Sequence, residues 1–281
     1  MDSLQKILSP GARIRITRVD LTQTAKTLEG RHLSGPVAGR ILAEGLAAVS
    51  LLSSDCEASE AVLLQVRVDG PVRGLVAEAT GEGHLRGYTH EKLLPDLDGE
   101  VPVASAPGLG AAGTAMVQRT RPGTLLGQTP MTFTPPDFRV MLARYYNQSL
   151  QVPAGVALAI GADSGGIIHA RGLVAERMPD GRQADFVPVL EAFQDGRINA
   201  LLEANAPLAD LARATGLEDL AIRGTRELRF QCRCSREKAV ASFSAMAATE
   251  IDDLVREGKS QHVVCHMCGA DYLVTAPEIA R

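Results

Sequence analysis

AVLLQVRVDGPVRGLVAEATGEGHLRGYT, residues 61–89, is the stretch that decides the fold class. Ala61 to Val68 is rich in valine and leucine and reads as a strand, and Asp69-Gly70-Pro71 turns the chain into a second one, Val72 to Ala79. Gly81-Glu82-Gly83 turns it again, into His84–Thr89. Three short runs joined by tight turns make a strand meander. Just before it, Ser34-Gly35-Pro36 opens a helix, Val37 to Leu52, with Ile41, Leu42, Leu46, Val49 and Leu52 at helical spacing. One helix crossing a meander points to α+β architecture.

Outward from that centre the pattern continues. Arg13 to Thr17 alternates as Arg-Ile-Arg-Ile-Thr, a half-buried strand. Pro102 to Gly113, dense in Pro, Gly and Ala, reads as a long loop, followed by strand-like Met116–Arg119 and Gln128–Phe133 and a helix from about Pro136 to Ser149. Val152–Ile160 and Ile167–Glu176, joined by Ala162-Asp163-Ser164-Gly165-Gly166, read as a hairpin, and Met178-Pro179-Asp180-Gly181 ends the first domain. The expected organisation is an α+β core domain over 1–181, a helical linker over 182–226 that leans on its neighbours, and a small C-terminal module over 227–281. In the linker, Pro207–Thr215 has Pro at its opening and Gly216 at its stop, with Leu208, Leu211 and Ala212 on one face. A helix so short is marginal in water unless it docks on something. In the module, Ser235 caps a helix to about Ala248, Thr249-Glu250-Ile251-Asp252 has capping-box spacing for a second ending at Gly258, Val263–Tyr272 is a hairpin, and Pro277 opens a last turn.

The 281 residues are 45% hydrophobic and 22% charged with a formal net charge of −4, ordinary globular values for more than one domain. No basic stripe is present for a nucleic-acid backbone, and from Arg226 to Arg281 eight basic residues face eight acidic ones, so no nucleic-acid partner is expected. The longest apolar stretches, Ile41–Leu52 and Val152–Ile160, are too short to span a bilayer, and Met1-Asp2-Ser3-Leu4-Gln5-Lys6 has no apolar signal core. The expected location is the cytoplasm, with no membrane partner. G-x-S-x-G, a phosphate-cradling Gly-Lys-Ser and H-E-x-x-H are all absent, so no enzyme is expected.

Four of the five cysteines form two tight pairs near the C-terminus: Cys232-Arg233-Cys234 and Cys265-His266-Met267-Cys268-Gly269. In a reducing compartment such pairs mean metal binding or redox chemistry. Zinc takes four ligands at tetrahedral corners, and a short knuckle supplies two from one turn of backbone. Cys232, Cys234, Cys265 and Cys268 are therefore the expected ligands of one zinc ion per chain in the reduced form, with Phe230 and Tyr272 placed to shield them and Gly269 freeing the backbone. An oxidant that takes one thiolate of the Cys-x-Cys pair to a sulfenic acid finds a second sulfur within reach, and a strained small-ring disulfide is readily reduced again. A reversible sensor and a purely structural zinc both remain open on spacing alone. Cys56 is read as a bystander, and His266 and His262 as solvated residues outside the ligand set.

These residues resemble the redox-regulated bacterial heat-shock chaperones of about thirty-three kilodaltons, the 33 kDa chaperonin family. Phe230-Gln231-Cys232-Arg233-Cys234-Ser235-Arg236-Glu237 and Cys265-His266-Met267-Cys268-Gly269-Ala270-Asp271-Tyr272 carry the likeness most strongly. Arg31 to Arg40, Asp69 to Gly74, His84 to Tyr88 and Tyr145 to Pro153 extend it, so matches run from about 18 to 275 and are weak in 91–115 and 182–226. Two departures stand out: Arg171-Gly172-Leu173 occupies the place of a Gly-Gly pair, and Pro135-Pro136-Asp137 replaces a more acidic, Gly-containing start to the helix. The resemblance implies an ATP-independent holdase for unfolding client proteins under oxidative stress. It implies that oxidation joins Cys232 to Cys234 and Cys265 to Cys268, that zinc then leaves, that module and linker unfold, and that the active form is a homodimer. The alternative from another class is a zinc-ribbon adaptor for nucleic acid or a protein complex, its zinc structural only. A third reading is a constitutive protein-binding scaffold.

Overall fold

The computed structural model describes residues 1–279. The chain opens with β1 (Ser3–Ser9) and β2 (Ile14–Asp20), then α1 (Thr22–His32) and α2 (Pro36–Leu52). The meander follows as β3 (Ala61–Val68), β4 (Gly74–Thr80) and β5 (His84–Thr89), and after the single turn α3 (Ala106–Leu109) come β6 (Gly113–Arg121) and β7 (Thr124–Thr132). Next are α4 (Phe138–Arg144), the hairpin β8 (Ala154–Asp163) and β9 (Gly166–Arg177), and three helices, α5 (Gln183–Gln194), α6 (Arg197–Glu203) and α7 (Leu208–Thr215). The remainder is β10 (Ala221–Glu227), β11 (Arg229–Phe230), α8 (Arg236–Ala241), α9 (Ala248–Glu257), β12 (Gln261–Val264), β13 (Asp271–Val274) and α10 (Ala276–Ile279). The fold is α+β.

Two sheets form the body, ordered β10-β1-β2-β9-β8 and β11-β5-β4-β3-β6-β7, and β12-β13 is a separate hairpin. Helix α2 lies between the two sheets. Thirteen of its 17 residues are buried, so it is apolar on nearly every side, with the half-buried Arg40–Glu44 pair its one charged strip. Alternation along the strands serves two cores at once: Leu4 and Val19 point toward α2, whereas Ile7, Ile14 and Ile16 point to the opposite face of the first sheet.

That opposite face is covered by α5, α6 and α7. Phe186, Val189, Ile198, Leu202 and Leu211 are buried against Ile7, Ile14, Ile16, Leu173 and Ala175, with Leu190, Phe193, Leu201 and Leu208 partly buried around them. Two arginines of the sheet hold the α6–α7 turn from below. Arg18 donates to the Ala206 carbonyl (2.8 Å) and to Asn205 Oδ1 (2.7 Å). Arg171 donates to the carbonyls of Leu202 and Glu203 (3.0 Å each), satisfying the end of α6, while Asp20 Oδ2 holds its Nε at 2.8 Å. Arg171 is thus a clamp on the helices above it.

The structure differs from the sequence expectations in several places. Periodicity shows neither β1 nor α1. Helix α1 has little apolar face, with Ala25 and Leu28 its only buried aliphatic side chains; Asp20 accepts from its first N–H, Thr22 N (3.1 Å), and the next two are satisfied by Asp2, which accepts from Gln23 N (2.9 Å) and Thr24 N (2.6 Å). The end of the segment read as helical pieces is instead β10, paired antiparallel with β1 from Ser3↔Glu227 to Leu8↔Ala221. The helix predicted over about 136–149 begins at Phe138, capped by Asp137, and its last residues, Tyr145–Ser149, widen into a π-helical turn. The helix expected from Ser235 to Ala248 stops at Ala241 and passes into a 3₁₀ turn, Ser242–Ala245. Helix α9 begins at Ala248, one residue before the expected Thr249 cap, with Glu250 reaching back to the Ala247 N–H at 3.0 Å.

Candidate metal centre

β11 and the hairpin β12-β13 bring the two cysteine pairs together. Cys232 and Cys234 follow β11, which runs parallel to β5 through Arg229↔His84 and Phe230↔Leu85. Cys265 and Cys268 form the hairpin's turn: Cys265 N donates to Ala270 O (2.8 Å) and Gly269 N to Cys265 O (2.8 Å). Gly269 has φ +70°, and a Cβ there would lie 2.4 Å from the Arg31 carbonyl, so both the turn and its closeness to α1 exclude a side chain. The four thiols are free, and their sulfurs all lie within 4.8 Å of one another. The closest approaches cross between the pairs, Cys232 to Cys265 at 3.8 Å and Cys234 to Cys268 at 3.5 Å. A tetrahedral zinc with bonds of about 2.3 Å places its sulfurs about 3.8 Å apart, so the donor set fits zinc in number, chemistry and size.

Electrostatics points the same way. The Cys232 thiol is lowered to about 7: burial opposes its ionisation, but hydrogen bonds from the Cys234 N–H, the neighbouring thiols and Arg86 outweigh it. Cys265 is pushed up to about 12 by burial, by its bond with the Cys268 thiol and by repulsion from Cys232, and Cys268 is raised as well, first by burial. One sulfur ionises readily and its neighbours then resist. Four thiolates so close need a divalent cation among them.

The centre is attached to the body on two sides. Gly87 N donates to Met267 O (3.2 Å), Arg31 Nε to Cys268 O (3.0 Å), and His32 Nε2 lies 2.8 Å from Gly87 O beneath the second knuckle. Glu78 on β4, 7% exposed, receives Arg86 (3.0 and 2.8 Å) and Arg233 (2.6 and 2.9 Å), so the residue between the first two ligands is bound to the second sheet. Tyr272 Oη donates to Cys234 Sγ at 3.1 Å, and Arg86 Nη1 approaches Cys232 Sγ at 3.9 Å. Spacing could not reveal Glu78, Arg86, Arg31 or His32, which lie more than 140 residues from the cysteines they serve. Phe230 packs on the body, with the Arg31 guanidinium 4.9 Å above its ring. His266 stays outside the quartet, exposed, its ring 5.8 Å from Tyr88. Cys56 is buried in the main core, apart from the four.

Among the described residues no helix is long and apolar enough to cross a membrane. A profile of the Hsp33 protein family matches residues 2–275. The 33 kDa chaperonin of Symbiobacterium thermophilum is 30% identical over 100% of this chain and 96% of its own length, and that of Deinococcus radiodurans is 30% identical over 96% and 94%. The crystal structure of the 33 kDa chaperonin of Thermotoga maritima, a heat shock protein 33 homologue, superposes with a TM-score of 0.86 over 99% of this chain and 96% of that one, at 22% identity.

Proposed function

The chain belongs to the Hsp33 family of chaperones, and on that premise we propose that it is a redox-regulated, ATP-independent holdase whose switch is the cysteine quartet. The observation that carries this reading is the mismatch between the quartet and its surroundings. Four thiols converge in a module whose own apolar cluster has, among the described residues, four buried members, Ala239, Phe243, Val274 and Ile279. When bound, zinc supplies the cation that keeps four thiolates together and, with it, the folding energy of the module.

The chain's own residues do the rest. A thiolate attacks peroxide, breaking the O–O bond, and becomes a sulfenic acid as hydroxide leaves. A second cysteine displaces that hydroxyl as water, leaving a disulfide; two thiols and one peroxide give one disulfide and two waters. We assign the pairs as Cys232–Cys234 and Cys265–Cys268. The folded site's closest sulfurs cross between pairs, but once the module loosens, closing a loop of about thirty residues costs roughly 2 kcal/mol more than closing one of about three, before ring strain. Each disulfide removes two thiolate donors, and the module loses what folds it.

The working parts of this proposal are a core to about 181, a linker over 182–226 and a switch module over 227–281. The linker's link to the module runs through β10 and Leu228, buried in the main core, and through Arg226, which donates to the carbonyls of Ser53, Ser54 and Cys56 (3.1, 3.4 and 3.2 Å). Loss of the module frees that strand's outer end, and α5–α7 undock to offer Phe186, Val189, Leu190, Phe193, Leu201, Leu202 and Leu208 to clients. Light scattering of a heat-unfolded client without nucleotide tests this with the protein reduced, peroxide-treated and re-reduced. Protection by the oxidised form alone, reversed by thiol, is the expected result. Equal protection by the reduced form supports a constitutive scaffold, and protection by neither supports the adaptor.

A further inference from the structure

The four sulfurs are not equally supplied with side-chain donors. Among the described residues, the side-chain N–H and O–H groups that reach a sulfur of the quartet both serve the first pair: Tyr272 Oη to Cys234 at 3.1 Å and Arg86 Nη1 to Cys232 at 3.9 Å. Tyr272 owes its position to strand register. It sits opposite Val263 in the β12-β13 ladder, and with Val274 it faces inward while Asp271 and Leu273 face outward. Its ring packs against the cluster of Ala239, Phe243, Val274 and Ile279, and its hydroxyl reaches sulfur. Packing alone therefore accounts for the ring and leaves the hydroxyl unexplained.

We propose that the Tyr272 hydroxyl is a positioning group that weakens Cys234 as a nucleophile, and so sets how readily the first pair yields to oxidant. The inference rests on the redox-switch reading above. A lone pair that accepts a hydrogen bond is less available to attack an O–O bond, and partners just outside a metal's ligand shell fix ligand orientation and tune ligand reactivity. Here the donor is a neutral hydroxyl held by a hairpin, so it acts without a change of charge. Arg86 does the same for Cys232 from the body, at longer range and with its charge shared with Glu78.

The test uses full-length, reduced, zinc-loaded protein. One measurement follows zinc release under a fixed peroxide concentration with a chromogenic chelator. The other follows alkylation at each cysteine by mass spectrometry, without oxidant. Tyr272→Phe keeps the ring and removes only the hydroxyl. It should release zinc about three- to tenfold faster, the scale of one hydrogen bond, and Cys234 should be alkylated faster by a similar factor while Cys265 and Cys268 change by less than about twofold. Arg86→Gln, which leaves the hairpin untouched, should accelerate Cys232 instead. If the Phe variant loses zinc during purification, zinc is restored before both measurements and the same outcomes decide. Wild-type rates in Tyr272→Phe, or equal acceleration at all four cysteines, would overturn it and leave the switch itself standing. A wild-type protein that keeps its zinc under peroxide would instead remove the switch on which the inference rests.

Discussion

The body around α2 and the module around the cysteines are held together by different forces. In the body, one contiguous cluster runs from Leu4 through Leu46, Leu64 and Phe138 to Leu228, closed on both sides of α2 by sheets. In the module, the apolar cluster of the described residues has four buried members, and α9 buries none of its ten residues. Side chains of that kind contribute about 1.5–3 kcal/mol each, whereas structural zinc in small modules contributes about 10–16 kcal/mol. The body's stability is thus distributed over many contacts, and on the proposal above the module's would be concentrated in one zinc ion. On the same proposal, oxidant chemistry at a few sulfurs would unfold one region and leave the other intact. In the sequence α5–α7 lie between the two, and they depend on docking against the first sheet rather than on metal.

The sharpest way to break this contrast is to remove the metal. Chelation, or Cys→Ser at any of the four ligand positions, should abolish zinc retention and melt the module, while the thermal transition of the body stays in place. Cys56→Ser should keep one zinc per chain by elemental analysis. Full zinc retention by Cys265→Ser would show that the module is not built on the quartet.

A smaller effect is expected where the helices dock. Phe186 is fully buried between α5 and the first sheet, and Phe186→Ala should cost the docked state about 3–5 kcal/mol. Reduced, zinc-loaded variant should then suppress client aggregation in part, with no zinc released. If it stays as inactive as wild type, undocking is not what uncovers the client surface.

The smallest effect concerns the clamp beneath α6. Burial works against the Asp20 charge, but Arg171 and the hydroxyl and N–H of Thr22 outweigh it, so its carboxyl lies below the ordinary range. A depressed folded pKa means that the clamp contributes fully above the unfolded value of about 3.9 and is lost as pH falls through the lower folded value. Hydrogen exchange in 197–206 should therefore accelerate on acidification through that window before exchange in β3 does. Asp20→Asn should remove this pH dependence and cost about 1–2 kcal/mol at neutral pH, read as faster exchange in the same residues.

What the sequence made legible was what neighbours in the chain decide. The meander from Ala61 to Thr89 is written in turns and strand-like runs, α2 in its density of apolar residues, and the quartet in its spacing. What stayed hidden was decided by distant partners. Helix α1 is started by Asp2, and β10, exposed along most of its length, is a strand only because β1 lies more than 200 residues away to pair with it. The surroundings of the sulfurs follow the same rule, since Arg86 and Glu78 sit in a strand pair with no metal signature of its own. Tyr272 was visible as a neighbour of the cysteines, but its hydroxyl contact depends on the register of a hairpin that spacing does not fix.

The central claim is that the state of the quartet decides whether α5–α7 stay docked, and hydrogen exchange compared between reduced, zinc-loaded protein and peroxide-treated protein tests it most directly. The account predicts that oxidation removes protection in 229–279 and in 183–216 together, while β2, β3, β4 and α2 keep theirs. Loss of protection in 229–279 with 183–216 unchanged would contradict it.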